Sequence, residues 1–188
     1  ELFKAQSNDA AALEAMWRSV PEAERQSPEI ALEAARLFNE SDAELGRLAA
    51  EAIEAALQQS PAAWDDSSLR LLDEYARAQM VSPRDQLERV EAWLQAAPPT
   101  GPIHTGLLRT AGLICLRQQL WGKSKAYLLE SLAADRDAST LLALARLADA
   151  IGDEREAASY FKDAAIAFAK TSTSMADSPS AVWRTPQR

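Results

Sequence analysis

The side chains best suited to hold a ligand are arginines at helical spacing. Arg109, Leu113, Leu116 and Arg117 fall on one face of a predicted helix, as do Leu142, Arg146 and Asp149. Arg77 and Met80 occupy comparable positions further back, in a less certain register. A planar guanidinium grips a carboxylate through two parallel hydrogen bonds, so such faces suit an acidic peptide or the C-terminus of a partner. The competing reading leaves these arginines solvated or paired with neighbouring acids. His104 is the single histidine, expected in a 101–105 loop as a solvated or capping group. An iron-ligating imidazole would instead need a closed apolar pocket. Cys115 is the single cysteine and falls on a packing face. A nucleophilic role would demand a lowered pKa and a nearby base. No His/Cys/Asp/Glu group has zinc spacing, and one histidine cannot furnish an assignable Ser-His-Asp set. Gly101 and Gly106 are followed by no Lys-Ser or Lys-Thr, so no phosphate loop is present. Asp65-Asp66 precede a helix, and its N-terminal dipole accounts for them. The reading is therefore non-enzymatic, with no catalytic residue, metal or cofactor expected.

What would position those arginines is a run of helices. The 188 residues are long enough for a sizeable core, and 47% are hydrophobic with only 6 glycines. Alanine, leucine, glutamate and arginine recur, and β-branched residues are few, which gives an all-α class. A net charge of −8 argues against non-specific nucleic-acid binding. One cysteine makes no internal disulfide, and no apolar run approaches the roughly 20 residues of a membrane span.

The stretch 108–134 reads as two antiparallel helices around a tight turn at Gln119 to Gly122. Small residues at the crossing let the backbones approach closely. Leu108, Ala111, Gly112, Trp121, Ser124, Leu128 and Ser131 recur as Leu141, Leu144, Ala145, Glu154, Ala157, Phe161 and Ala164, always 33 residues on. A helix hairpin repeating at about this period is the tetratricopeptide pattern. Its first helices line a concave face, which makes Arg77, Arg109, Leu113, Leu116, Arg117, Leu142, Arg146 and Asp149 candidates for a partner-binding groove. The expected fold is a right-handed α-solenoid of tetratricopeptide-like hairpins over 1–170, with pairs at about 28–59, 66–97, 105–136 and 138–170.

A lead helix over 8–20, capped by Asn8 or Asp9, precedes them. Pro21 to Arg25 is a turn or a single helical turn. Ser27-Pro28 and Ser82-Pro83 each place a capping residue before a proline at the first helical position. Ser41 is expected to cap a helix over 42–59. Asp66 or Ser67 should cap another that reaches about Met80. Trp17, Trp64 and Trp93 are expected at repeat junctions, and Trp121 across a turn. From Thr171 a Ser, Thr and Pro rich tail, 171–188, is expected to be mobile. Trp183 within it is either a loose end or a short docking segment.

The run from Ile114 to Leu128 with its Gln-Leu-Trp-Gly-Lys turn, the Arg89 to Pro98 segment, Trp17 to Pro21 and Trp64-Asp65 resemble the HemY family. The resemblance covers most of 13–169. Members are proteobacterial inner-membrane proteins with a short pair of membrane helices followed by a tetratricopeptide array, associated with a late step of haem biosynthesis. The resemblance implies a C-terminal soluble portion, cytoplasm-facing, whose membrane attachment lies in a missing N-terminal anchor. The opening at Glu1 fits an excised piece. It also implies haem-pathway enzymes as partners, or porphyrin propionates as ligands of the arginine face. No catalytic residue carries over, and oligomeric state is left open. The flavin-dependent oxidase that shares the family's name is a different protein, and this protein lacks the strand-GxGxxG-helix unit it would need. A generic adaptor without a haem role, and a direct haem-binding protein, stand as alternatives.

Overall fold

The computed structural model describes residues 10–41, 45–80 and 82–176, with the backbone alone for 171–176. Among them every regular element is helical and there is no strand. The order is α1 (Ala10–Ser19), α2 (Glu22–Arg25), α3 (Pro28–Ser41), α4 (Gly46–Ala56), α5 (Asp66–Arg77), α6 (Pro83–Ala96), α7 (Pro102–Arg117), α8 (Trp121–Ala134), α9 (Ala138–Ala150) and α10 (Glu154–Ala176). A single 3-10 turn at Pro61–Ala63 interrupts the link before α5. The protein divides into two compact units, Glu1–Asp135 and Arg136–Arg188.

In the first unit α3 packs on α4 and α5, and α5 and α6 both pack on α7, which packs on α8. Leu13, Phe38, Ile53, Leu71, Leu72, Tyr75, Leu107 and Ile114 are fully buried between these helices. Each such side chain stabilises the fold by about 1.5–3 kcal/mol through apolar burial. Trp17 of α1 meets Phe38 of α3 edge to face, with ring centroids 5.9 Å apart. Gly46 opens α4 where a Cβ would lie 2.5 Å from the Gln79 backbone, so only glycine allows that approach. α5 and α6 stand further apart than the other hairpin partners, and aromatic rings bridge the gap. Tyr75 lies 5.1 Å from Trp93, which in turn lies 5.4 Å from Trp64.

Several expected boundaries move. Ser41 does not cap α4: it closes the last described turn of α3, where its hydroxyl donates to the Leu37 carbonyl (2.7 Å). α4 begins only at Gly46 and ends at Ala56, short of the expected 59. The expected start of that helix, and the Asn8 and Asp9 caps, lie outside the described residues. The cap of α5 is Asp65 rather than Asp66 or Ser67. Its carboxylate accepts from the Ser67 and Ser68 N–H groups, and the Ser68 hydroxyl accepts from the Asp65 N–H. This reciprocal box satisfies donors that a helix start leaves open. α5 stops at Arg77, before Met80, because the buried Gln86 amide donates to the Tyr75 and Ala78 carbonyls. α7 starts at Pro102, behind Gly101 with a φ of 100° that suits glycine, so His104 sits in its first turn and not in a loop. Ser82 caps α6 as expected.

In the second unit α9 packs on α10. Asp137 caps α9 through the Ser139 and Thr140 N–H groups (2.8 and 2.9 Å). α10 runs to Ala176, beyond the expected end at 170 and into the expected tail. Its alanine-rich sequence meets no proline before Pro179, so nothing stops the helix at 171. Trp183 lies outside the described residues.

The 33-residue recurrence is written in the backbone. Helices end at Arg117 and Ala150 and restart at Trp121 and Glu154. Gln119 and Gly152 have φ of 58° and 80°. Leu120 N–H donates to Cys115 and Asp153 N–H to Ala148, each at 2.9 Å. These are the paired bonds of a helix C-terminus closed through a left-handed residue.

Candidate functional site

Five of the eight groove candidates belong to the first unit, and most are already engaged. Arg109 of α7 donates to the Asp73 carboxylate of α5 at 2.6 Å, and only 13% of its side chain is exposed. Arg117 donates from Nη1 to the Ala76 carbonyl (2.7 Å) and from Nη2 to Gln86 Oε1, tying the end of α7 to α5 and α6. Burial holds the Arg117 guanidinium below its ordinary pKa. Arg77 lies 3.3 Å from Glu74 one turn back. Leu113 and Leu116 are half-buried on the same helix.

A cluster without any counterpart among the sequence-based candidates sits beside these residues. Glu74 of α5 is only 7% exposed. Arg36 of α3 approaches it at 3.6 Å and Arg77 at 3.3 Å, and the Asn39 amide donates both to its carboxylate and to its backbone carbonyl at 3.1 Å. A buried carboxylate is tolerated when charged and polar partners surround it. Asn39 keeps its carbonyl oxygen buried without a donor. The signal available in the sequence is the Glu74/Arg77 spacing of one helical turn, which apolar periodicity ignores.

The remaining three candidates belong to the second unit. Leu142 is half-buried, and Arg146 and Asp149 are exposed. Among the described residues Arg146 has no ion pair and no side-chain hydrogen bond. On α9 a guanidinium is thus presented to solvent at the position that Leu113 holds on α7.

The residues considered for other chemistry are structural. Cys115 is fully buried, and burial pushes its thiol up to about 11. A nucleophilic thiol needs the opposite shift. Tyr75 is fully buried with its hydroxyl donating to Glu54 at 2.6 Å, and burial raises its pKa far above the ordinary range. His104 is half-buried and its Nδ1 has no partner. Among the described residues no His/Cys/Asp/Glu group could hold a metal ion, and no helix is long and apolar enough to cross a membrane. Trp17, Trp64 and Trp93 all sit at helix junctions, where Trp64 also donates to the Gln59 carbonyl (3.0 Å). No protein-family model, no curated protein and no solved structure matches this protein.

Proposed function

We propose that this protein is a non-catalytic protein-interaction scaffold, a right-handed solenoid of tetratricopeptide-like hairpins that offers the face of its first helices to a partner. The observation that carries this reading is the 33-residue recurrence of the α7–α8 and α9–α10 hairpins, hydrogen bond for hydrogen bond. Stacked hairpins supply one another's interior and leave an extended surface for something else. The unpaired Arg146 favours a carboxylate on that partner. Arg109 and Arg117 serve the scaffold itself, since each is spent on a neighbouring helix. The resemblance to the HemY family points to haem-pathway enzymes as the partners, near an inner membrane to which the parent protein is anchored, with this domain facing the cytoplasm.

Affinity capture with the membrane-anchored parent tests the reading. Recovery of porphyrin-pathway enzymes supports it. Recovery of an unrelated assembly makes the protein a generic adaptor, and recovery of nothing above background overturns the scaffold. Haem titration of the domain should give no Soret shift of defined stoichiometry; a shift sensitive to His104→Ala would make it a haem-binding protein instead.

A further inference from the structure

A cleft of about 170 Å³ lies between α1, α2 and α4, away from the first-helix face. Trp17, Glu22, Arg25, Glu51, Ala55 and Gln58 line it. Glutamate and arginine three or four residues apart on one helix pair readily, and here Glu33 with Arg36, Glu74 with Arg77, Glu14 with Arg18, Arg47 with Glu51 and Arg84 with Glu88 all do so. Glu22 and Arg25 have the same spacing and do not pair. Among the described residues neither has an ion pair, and the Arg25 Nε is buried without any acceptor. A buried donor left without an acceptor is costly, and an arginine edge presents Nε and one Nη in the geometry of a carboxylate. Glu51 is neutralised by Arg47 at 2.5 Å, so the cleft offers one unpaired cation and one unpaired anion side by side. Trp17 and Ala55 supply its apolar lining and the Gln58 amide a further polar contact.

We propose that this cleft binds a small zwitterion of the α-amino-acid class, its carboxylate on Arg25 and its ammonium on Glu22. A simple anion would meet Glu22 unpaired and a simple cation would meet Arg25 unpaired, so a ligand carrying both charges is favoured over either.

Calorimetric titration of the full-length protein with the standard L-amino acids tests this. Saturable binding of at least one is expected, for example L-leucine. L-leucinol, without the carboxylate, and 4-methylpentanoate, without the ammonium, should each bind at least about 10-fold more weakly. Arg25→Gln and Glu22→Gln, checked for native helicity, should each weaken the amino acid by at least about 10-fold. No saturable heat up to about 10 mM of any amino acid, a concentration that reaches even weak millimolar binding, would overturn the proposal. So would equal binding of either one-charge analogue, or unchanged affinity in folded Arg25→Gln.

Discussion

The α7–α8 and α9–α10 hairpins share a backbone and differ in what fills the seam. In the first, Leu128 is fully buried against Gly112, where a Cβ would lie 2.6 Å from Leu128 Cγ. In the second, the residue equivalent to Gly112 is Ala145, and Phe161 in place of Leu128 remains 43% exposed. A methyl occupies the hollow and the side chain across from it is larger, so it cannot seat. The polar stitching differs too. Ser124 donates to the Gly112 carbonyl (2.9 Å) and Ser131 to the Thr105 carbonyl (3.1 Å), whereas Ala157 and Ala164 at the equivalent positions are buried methyls. One repeat pattern thus tolerates either a glycine hollow with hydroxyl bridges or an alanine seam without them. Backbone register is carried by the turn, and the seam tunes stability on top of it.

Substitutions can break that contrast. Leu128→Ala should cost about 3 kcal/mol in urea unfolding, because it empties a seat shaped around it. Phe161→Ala should stay within about 0.5 kcal/mol; a loss as large as that of Leu128→Ala would mean the two seams are packed alike. Gly112→Ala gains helix propensity but forces Leu128 out, for a net loss of about 1–2 kcal/mol. Adding Leu128→Ala to Gly112→Ala should cost less than the two losses together, since the clash is then gone. Ser124→Ala should cost about 1 kcal/mol by leaving the Gly112 carbonyl without that hydroxyl.

The smallest effect concerns pH. Burial raises the Cys115 thiol from 9.0 to about 11, so the folded state holds a proton that the unfolded state releases earlier. Its contribution is complete below pH 9.0 and falls away as pH rises toward about 11. The difference in unfolding midpoint between wild type and Cys115→Ala should shrink across that window. A constant difference would place the thiol in water.

Much of this fold is legible without coordinates. The 33-residue spacing fixes both last hairpins, and the Ser82-Pro83 start of α6 follows from the two residues alone. What the sequence hides is set at a distance along the polypeptide. The end of α5 depends on Gln86, eight residues past Ala78, and a glutamine in a periodic pattern carries no sign that its amide will cap another helix. The start of α4 depends on the approach of Gly46 to Gln79. The same holds for the arginines. Spacing selects a helix face, but Asp73 against Arg109 and Ala76 against Arg117 are tertiary contacts, so engaged and unpaired arginines look identical in sequence. The Glu74 cluster is hidden for a related reason, since a buried acid violates the apolar stripe used to find a core.

Partner capture by the membrane-anchored parent carrying Arg146→Glu, set beside the wild-type parent and an exposed control such as Arg84→Glu, probes the interaction surface most directly. The account predicts loss of the captured partner for Arg146→Glu alone, with native helicity retained. Equal capture by all three forms would contradict it.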